Sequence, residues 1–254
     1  MLRFPPVPDG PPVRISATAY LAFQECEAQA QARFGGAYPA DSAPAFFGVL
    51  AHRIFARHLV SGPIDDMAQA VREEIGSGLN AKMAAVGINR PSQLATTIRR
   101  LGPLYDRFRR LSEEGFMAAE VPLEVEPVKD VVLIGKVDAL FHEGNPAPLL
   151  RDWKTGPLAD PLKQLLYYAY LWAWKRAVVP TVEAISLQTG EQLRKVPTQA
   201  DLREVGERLA ALVTAIRQTW AETPAPRRAG PWCRFCPIMS NCPEGKVAAA
   251  VANL

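Results

Sequence analysis

Cysteine is scarce in this chain, four in 254 residues, and a chain of this length buries a sizeable core without disulfide staples. Long hydrophobic runs are missing too. The strongest, Leu165 to Trp174, is closed by Lys175-Arg176 and falls far short of the ~20 residues that span a bilayer. The N-terminal Met-Leu-Arg-Phe-Pro-Pro has no secretory h-region, so the expectation is a cytoplasmic protein with no membrane partner. No Gly-x-x-x-x-Gly-Lys-Ser/Thr occurs, which excludes a P-loop ATP motor. No coiled-coil, collagen or solenoid period is visible. Neither sign of charge dominates: Lys+Arg 29 stand against Asp+Glu 26, with a pI near 8.7. That mild basicity permits a polyanionic partner without demanding one.

What remains is an ordinary folded composition, 48% apolar and 22% charged, suited to one large domain or a core with a small appendage. Residues 1–15 are Pro-rich and read as an extended arm. Ser16 is a fair N-cap for a helix to about Phe34, stopped by Gly35-Gly36. A helix from Pro44 carries Phe47, Leu50, Ile54 and Leu59, which puts His52 beside an apolar stripe. Helical stretches follow at about 65–79 and 92–114. From residue 116 the texture changes. Residues 119–126, 131–141 and 148–153 read as strands, with a turn at 143–146. Asp160 and Pro161 open a helix that holds the apolar run. Strands at 182–188 and 192–196 and a helix at 199–220 complete the core. Strand, helix, strand across 148–188 implies one parallel crossover in an otherwise antiparallel sheet. The class is α/β with a helical N-terminal part.

The sharpest chemistry is Asp138 on one strand and Asp152-Trp153-Lys154 at the end of the next. Two carboxylates brought close repel unless a cation neutralises them, and hard oxygens suit Mg²⁺ or Mn²⁺. Strand alternation puts Lys154 on the face of Asp152, where an ammonium could orient water or stabilise charge on a phosphate. Trp153 then points into the core, its backbone carbonyl still in reach of a metal. Gln164 and Tyr168, four apart, share one helix face. His52, as a neutral imidazole, is a metal ligand or a satisfied core histidine. The bland alternatives are surface carboxylates at strand ends and a helix face that simply packs. Arg99, Arg100, Arg107, Arg109, Arg110, Arg227 and Arg228 are phosphate contacts or solvated surface.

In order, His52, Gly135-x-x-Asp138, Asp152-Trp-Lys154-Thr-Gly and Gln164-x-x-x-Tyr168 resemble the RecB-like branch of the PD-(D/E)XK nucleases. Cys26 upstream, with Cys233-x2-Cys236-x5-Cys242 downstream, resembles its iron–sulfur subgroup, which includes CRISPR-associated RecB-like exonucleases and the AddB nuclease domain. The resemblance spans about residues 16–245. It implies a restriction-endonuclease-like mixed central sheet flanked by helices. The arm (1–15) would precede a helical part (16–115, carrying Cys26 and His52) and a nuclease core (116–222). A cysteine segment (223–254) would pack back on the N-terminal helix. It implies His52, Asp138, Asp152 and the Trp153 carbonyl as metal ligands, Lys154 as catalytic lysine, and Gln164 and Tyr168 against the DNA. Either Glu120 or Glu124 supplies a further carboxylate.

Four thiolates fit a [4Fe–4S] cluster or a tetrahedral Zn²⁺. One Cys-x-x-Cys knuckle with a ligand some 200 residues upstream makes a poor zinc ribbon, so the resemblance points to iron and sulfur. The subgroup usually carries Pro after its first cysteine, whereas Glu27 follows Cys26. The function implied is an Mg²⁺- or Mn²⁺-dependent exonuclease on single-stranded DNA or DNA ends, in repair, recombination or CRISPR adaptation. A helicase or CRISPR adaptation proteins would be separate partners. The alternative is a catalytically silent DNA-end-binding or scaffold subunit.

Overall fold

Six strands and eight principal helices are traced in the computed structural model, which describes residues 2–111, 113–143 and 147–251. Residues 144–146 of the expected turn lie outside the described residues. The strands are β1 (Val13–Ser16), β2 (Phe116–Val128), β3 (Val131–Phe141), β4 (Leu149–Lys154), β5 (Thr181–Ser186) and β6 (Gln192–Lys195). The helices are α1 (Ala17–Glu25), α2 (Glu27–Phe34), α3 (Ala43–Ser61), α4 (Met67–Gly76), α5 (Asn80–Ala85), α6 (Pro91–Phe108), α7 (Leu162–Arg176) and α8 (Gln199–Thr214). None of the described helices is long and apolar enough to cross a membrane.

All six strands form one mixed sheet. β2 pairs antiparallel along nearly all of β3. The other edge of β3 is shared: β1 runs parallel to residues 131–134, and β4 antiparallel to residues 139–141. β4 then continues parallel to β5, the crossover supplied by α7. The sequence expectation of one parallel pair is therefore corrected to two. β1 hides its character by being four residues long, with only Val13 and Ile15 inward, too short for alternation to register against the flanking prolines. Tyr167 fixes it in place, its hydroxyl donating to the carbonyls of Ile15 at 2.8 Å and Ile134 at 3.0 Å.

Helices cover both faces. On one, α1, α7 and α8 bring Tyr20, Tyr167, Tyr170, Leu171 and Leu209 onto Leu133, Val137 and Leu140. On the other, α3, α4 and α6 bring Leu50, Ile54, Phe55, Leu101 and Phe108 onto Ala139, Phe141 and Trp153. Each of these large apolar side chains, fully buried, contributes roughly 1.5–3 kcal/mol. The alternation along β3 slips by one residue between Val137 and Leu140, which feed the same layer. Asp138 sits at that slip. Opposite it on β2, Glu120 adopts a left-handed φ of 54°, a conformation costing on the order of 1–2 kcal/mol for a residue with a Cβ.

The helix expected over 16–34 is two helices broken at Cys26, whose backbone is extended (φ −159°, ψ 114°). The Ala28 N–H donates to the Pro226 carbonyl at 3.1 Å, outside any helical ladder. The break turns the chain toward its own C-terminal segment, a long-range cause that local helix propensity cannot show.

Candidate active site at the fork of the sheet

β3 and β4 stop pairing at Ala139↔Arg151, and β1 stops at Ser16↔Ile134. Between these ends, residues 135–138 of β3 have no strand partner on that edge, and the sheet forks. The next opposed positions past the last β3–β4 pair are Asp138 and Asp152. On the other side of β3, the flanking pairs Ala119↔Ala139 and Val121↔Val137 set Glu120 opposite Asp138. Three carboxylates thus stand in a row across three adjacent strands.

The fork opens into a cavity of about 600 Å³ lined by His52, Glu120, Lys136, Asp138, Asp152, Lys154, Gln164 and Tyr168, with Ser16, Thr18 and Val49 among the other wall residues. Asp138 and Asp152 are buried. His52 Nδ1 lies 2.9 Å from Asp138 Oδ1, while Asp138 Oδ2 accepts the Trp153 N–H at 2.8 Å. That second bond replaces the ladder bond lost at the fork. The Trp153 side chain goes into the opposite layer, against Phe108. Ligand atoms of His52, Glu120 and Asp138 lie within 4.8 Å of one another, a spacing at which one cation can be shared.

Lys154 Nζ stands 2.8 Å from Asp152 Oδ2 as an ion pair and donates to Gln164 Oε1 at 2.6 Å. Gln164 Nε2 in turn donates to the Tyr168 hydroxyl at 2.8 Å. Apart from that ion pair with Lys154, the buried Asp152 Oδ2 has no hydrogen-bond partner. Gly135 explains the first glycine of the motif: a Cβ there would fall 3.0 Å from Tyr168 Cε1. The chain keeps hydrogen at that position so that the ring can lie on β3.

Burial alone would push protons off His52, but the Asp138 carboxylate outweighs it by charge and hydrogen bond and holds the imidazole pKa above its ordinary value. Burial raises Asp152, against the pull of Lys154 and with the push of Asp138. Burial also raises the Tyr168 hydroxyl, which stays protonated. Each acid already faces a basic group, Asp138 His52, Asp152 Lys154 and Glu120 Lys136, and carboxylates gathered this closely are also the donor set a divalent cation takes.

The two glutamates part company. Glu120 lines the cavity and pairs with Lys136, whereas Glu124 is exposed and pairs with Arg14 at 2.7 Å. Lys136 had no motif to mark it, nor did the fork itself. Most of the arginines are committed elsewhere. Arg107 donates to the Leu187 and Gln188 carbonyls, Arg100 lies over Phe47, and Arg109 pairs with Asp106.

A second cluster ties the ends of the chain. Cys26, Cys233 and Cys242 are buried, and all four cysteines are free thiols. Backbone N–H groups of Arg228, Gly230 and Gly245 each point at a sulfur, of Cys26, Cys233 and Cys242 respectively, at 3.4 Å. Burial raises the Cys236 thiol, the Ile238 N–H lowers it, and Cys26, Cys233 and Cys242 raise it further through their charge. The four thiols lie within electrostatic reach of one another, and each receives a backbone N–H. Among the described residues no three of these sulfurs come within 4.8 Å of one another.

A family model described as the PD-(D/E)XK nuclease superfamily matches residues 14–243. A candidate exonuclease from Eubacterium rectale aligns over 87% of this chain and 87% of its own, with a TM-score of 0.55 and 11% identity. At that identity the likeness speaks for the fold alone. The protein SSO0001 aligns over 77% of this chain and 94% of its own at 19% identity, with a TM-score of 0.36, too low to carry an argument. No curated protein matches by sequence.

Proposed function

The chain belongs to the PD-(D/E)XK nuclease superfamily, and from that premise we propose that it is a divalent-metal-dependent deoxyribonuclease, an exonuclease acting on single-stranded DNA or free DNA ends. One observation carries the reading: Glu120, Asp138 and Asp152 aligned across the fork, with His52 on one side and Lys154 on the other. A silent scaffold has no chemical need for a carboxylate row, two of its three members buried, beside a lysine.

His52, Glu120, Asp138, Asp152 and the Trp153 carbonyl are the groups that would hold Mg²⁺ or Mn²⁺. When bound, the ion supplies a Lewis acid for a phosphate oxygen and makes water more acidic. Asp138 keeps His52 oriented and is itself oriented by the Trp153 N–H. Lys154 sits where an ammonium stabilises charge growing on the phosphate and helps align the attacking water. Gln164 fixes that ammonium, and Tyr168, locked over Gly135, fixes Gln164. The pair also offers an amide and a hydroxyl to the DNA strand.

Cys26, Cys233, Cys236 and Cys242 would hold a [4Fe–4S] cluster. One Cys-x-x-Cys knuckle with its fourth ligand some 200 residues upstream makes a poor zinc ribbon, which is the ground for preferring iron and sulfur. N–H donors aimed at cysteine sulfurs suit such a cluster. Its work here is structural, closing the α1–α2 break onto the C-terminal segment. The experiment is a spectrum of anaerobically purified protein, then incubation with end-labelled single-stranded DNA and Mn²⁺. Metal-dependent degradation supports the nuclease; binding without cleavage across several divalent ions would hand the chain to the scaffold reading.

A further inference from the structure

We propose that the catalytic cleft continues into a second, nucleotide-binding pocket, where Arg33 holds a phosphate and Tyr38 stacks an unpaired base. The inference rests on the nuclease reading and adds to it a subsite and a strand requirement. A cavity of about 530 Å³ lies beside the fork, lined by Arg14, Arg33, Phe34 and Tyr38 together with Ser16, Thr18 and Ile134. The last three also line the catalytic cavity, so the two spaces share a wall and a chain of nucleotides passes from one to the other.

The lining has what a single strand needs. Tyr38 is 70% exposed, an amphipathic ring left in water beside a cavity. Phe34, by contrast, is braced by Trp220 at a ring separation of 6.1 Å and gives the pocket a rigid apolar floor. Arg33 Nε is buried with no hydrogen-bond partner. That nitrogen is sealed from the pocket, so the phosphate meets the outer part of this half-buried guanidinium, which lines the cavity. Arg14 is held by Glu124 at 2.7 Å, which leaves Arg33 as the principal phosphate contact. Aromatic stacking plus guanidinium contact to the backbone is how proteins hold unpaired strands irrespective of sequence. A base stacked on Tyr38 cannot be paired, so the pocket selects single strands or frayed ends.

The test separates this pocket from the chemistry at the fork. Binding of a fluorescein-labelled dodecathymidylate is read by anisotropy in Ca²⁺, and hydrolysis of thymidine 5′-(p-nitrophenyl phosphate), too short to reach Tyr38, is read in Mn²⁺. Tyr38→Ala should weaken oligonucleotide binding on the order of tenfold, the loss expected for one stacked base. Arg33→Gln should weaken it and lower the salt slope by about 0.7, one phosphate contact on a single strand. Both variants should hydrolyse the small diester at the wild-type rate. Unchanged oligonucleotide affinity in both variants overturns the pocket. A wild-type protein that, in Mn²⁺, hydrolyses neither the small diester nor the same oligonucleotide overturns the nuclease reading instead, and the binding arm still decides the pocket. Tyr38 is exposed, so its loss leaves the core intact.

Discussion

The ring of Tyr168 rests directly on Gly135, so closely that a methyl group there would lie 3.0 Å from Cε1 and 3.1 Å from Cδ1. A strand glycine therefore sets the position of a helix side chain, and through Gln164 the position of Lys154. Gly135→Ala should push the ring away and loosen that relay. The expected result is a fall in DNA cleavage of about tenfold to a hundredfold, with a stability loss of ~1–3 kcal/mol from overpacking. Cleavage rates and urea denaturation of one variant check both.

Glu120 tests whether backbone strain is stored at the fork. Its left-handed φ of 54° suits glycine and penalises any residue with a Cβ. Glu120→Gly and Glu120→Ala lose the same carboxylate, so their difference isolates the backbone. The glycine variant should be more stable than the alanine variant by about 1 kcal/mol, and both should bind Mn²⁺ more weakly than wild type. Equal stabilities would mean that residue 120 relaxes out of the left-handed region.

Much of this site was legible before any fold was known. His52, Asp138, Asp152, Lys154, Gln164 and Tyr168 form a series of spaced motifs, and the chemistry of each residue type limits what they do together. The choice between Glu120 and Glu124 was not legible. The two are equivalent in β2's alternation, and only the slip at Asp138, with the turned backbone of Glu120, sends one to the cleft and leaves the other with Arg14. The break at Cys26 and the short strand β1 escaped for the same reason. Each depends on a partner far along the chain, Pro226 in one case and β3 in the other. The arginines of α6 stayed open between phosphate contact and solvated surface, because a guanidinium that caps loop carbonyls, as Arg107 does, has the sequence signature of one that binds phosphate.

The start of α8 carries a pH prediction. Asp201 is held down to about 2 by its hydrogen bond from Lys195 and by the Thr198 backbone N–H, against an ordinary value of 3.8. A carboxylate depressed by folding stabilises above its unfolded pKa and loses that contribution as pH falls through the folded one. Asp201→Asn, at the third helical position of the capping box closed by Thr198, should cost on the order of 0.5–1 kcal/mol at neutral pH. The gap to wild type should narrow as pH drops from about 4 toward 2. A gap that stays constant on acidification would assign the effect to geometry rather than charge.

Cys26→Ser tests the second centre independently of the first. Anaerobically purified wild-type protein should be brown, with a broad band near ~400 nm; the variant should lose the band. Its melting temperature should also fall, because a cluster on these four thiols would close a loop of some two hundred residues. A colourless wild type that contains zinc would reassign the thiols without touching the fork.

If the fork of β3 and β4 is the proposed hydrolytic centre, Asp152 holds the ion and Lys154 acts on the phosphate. Mn²⁺ titration calorimetry, paired with cleavage of end-labelled single-stranded DNA, separates the two roles in wild type, Asp152→Ala and Lys154→Ala. Asp152→Ala should lose both Mn²⁺ binding and cleavage, while Lys154→Ala should keep the ion and lose cleavage. Full cutting by purified Asp152→Ala protein would contradict that assignment.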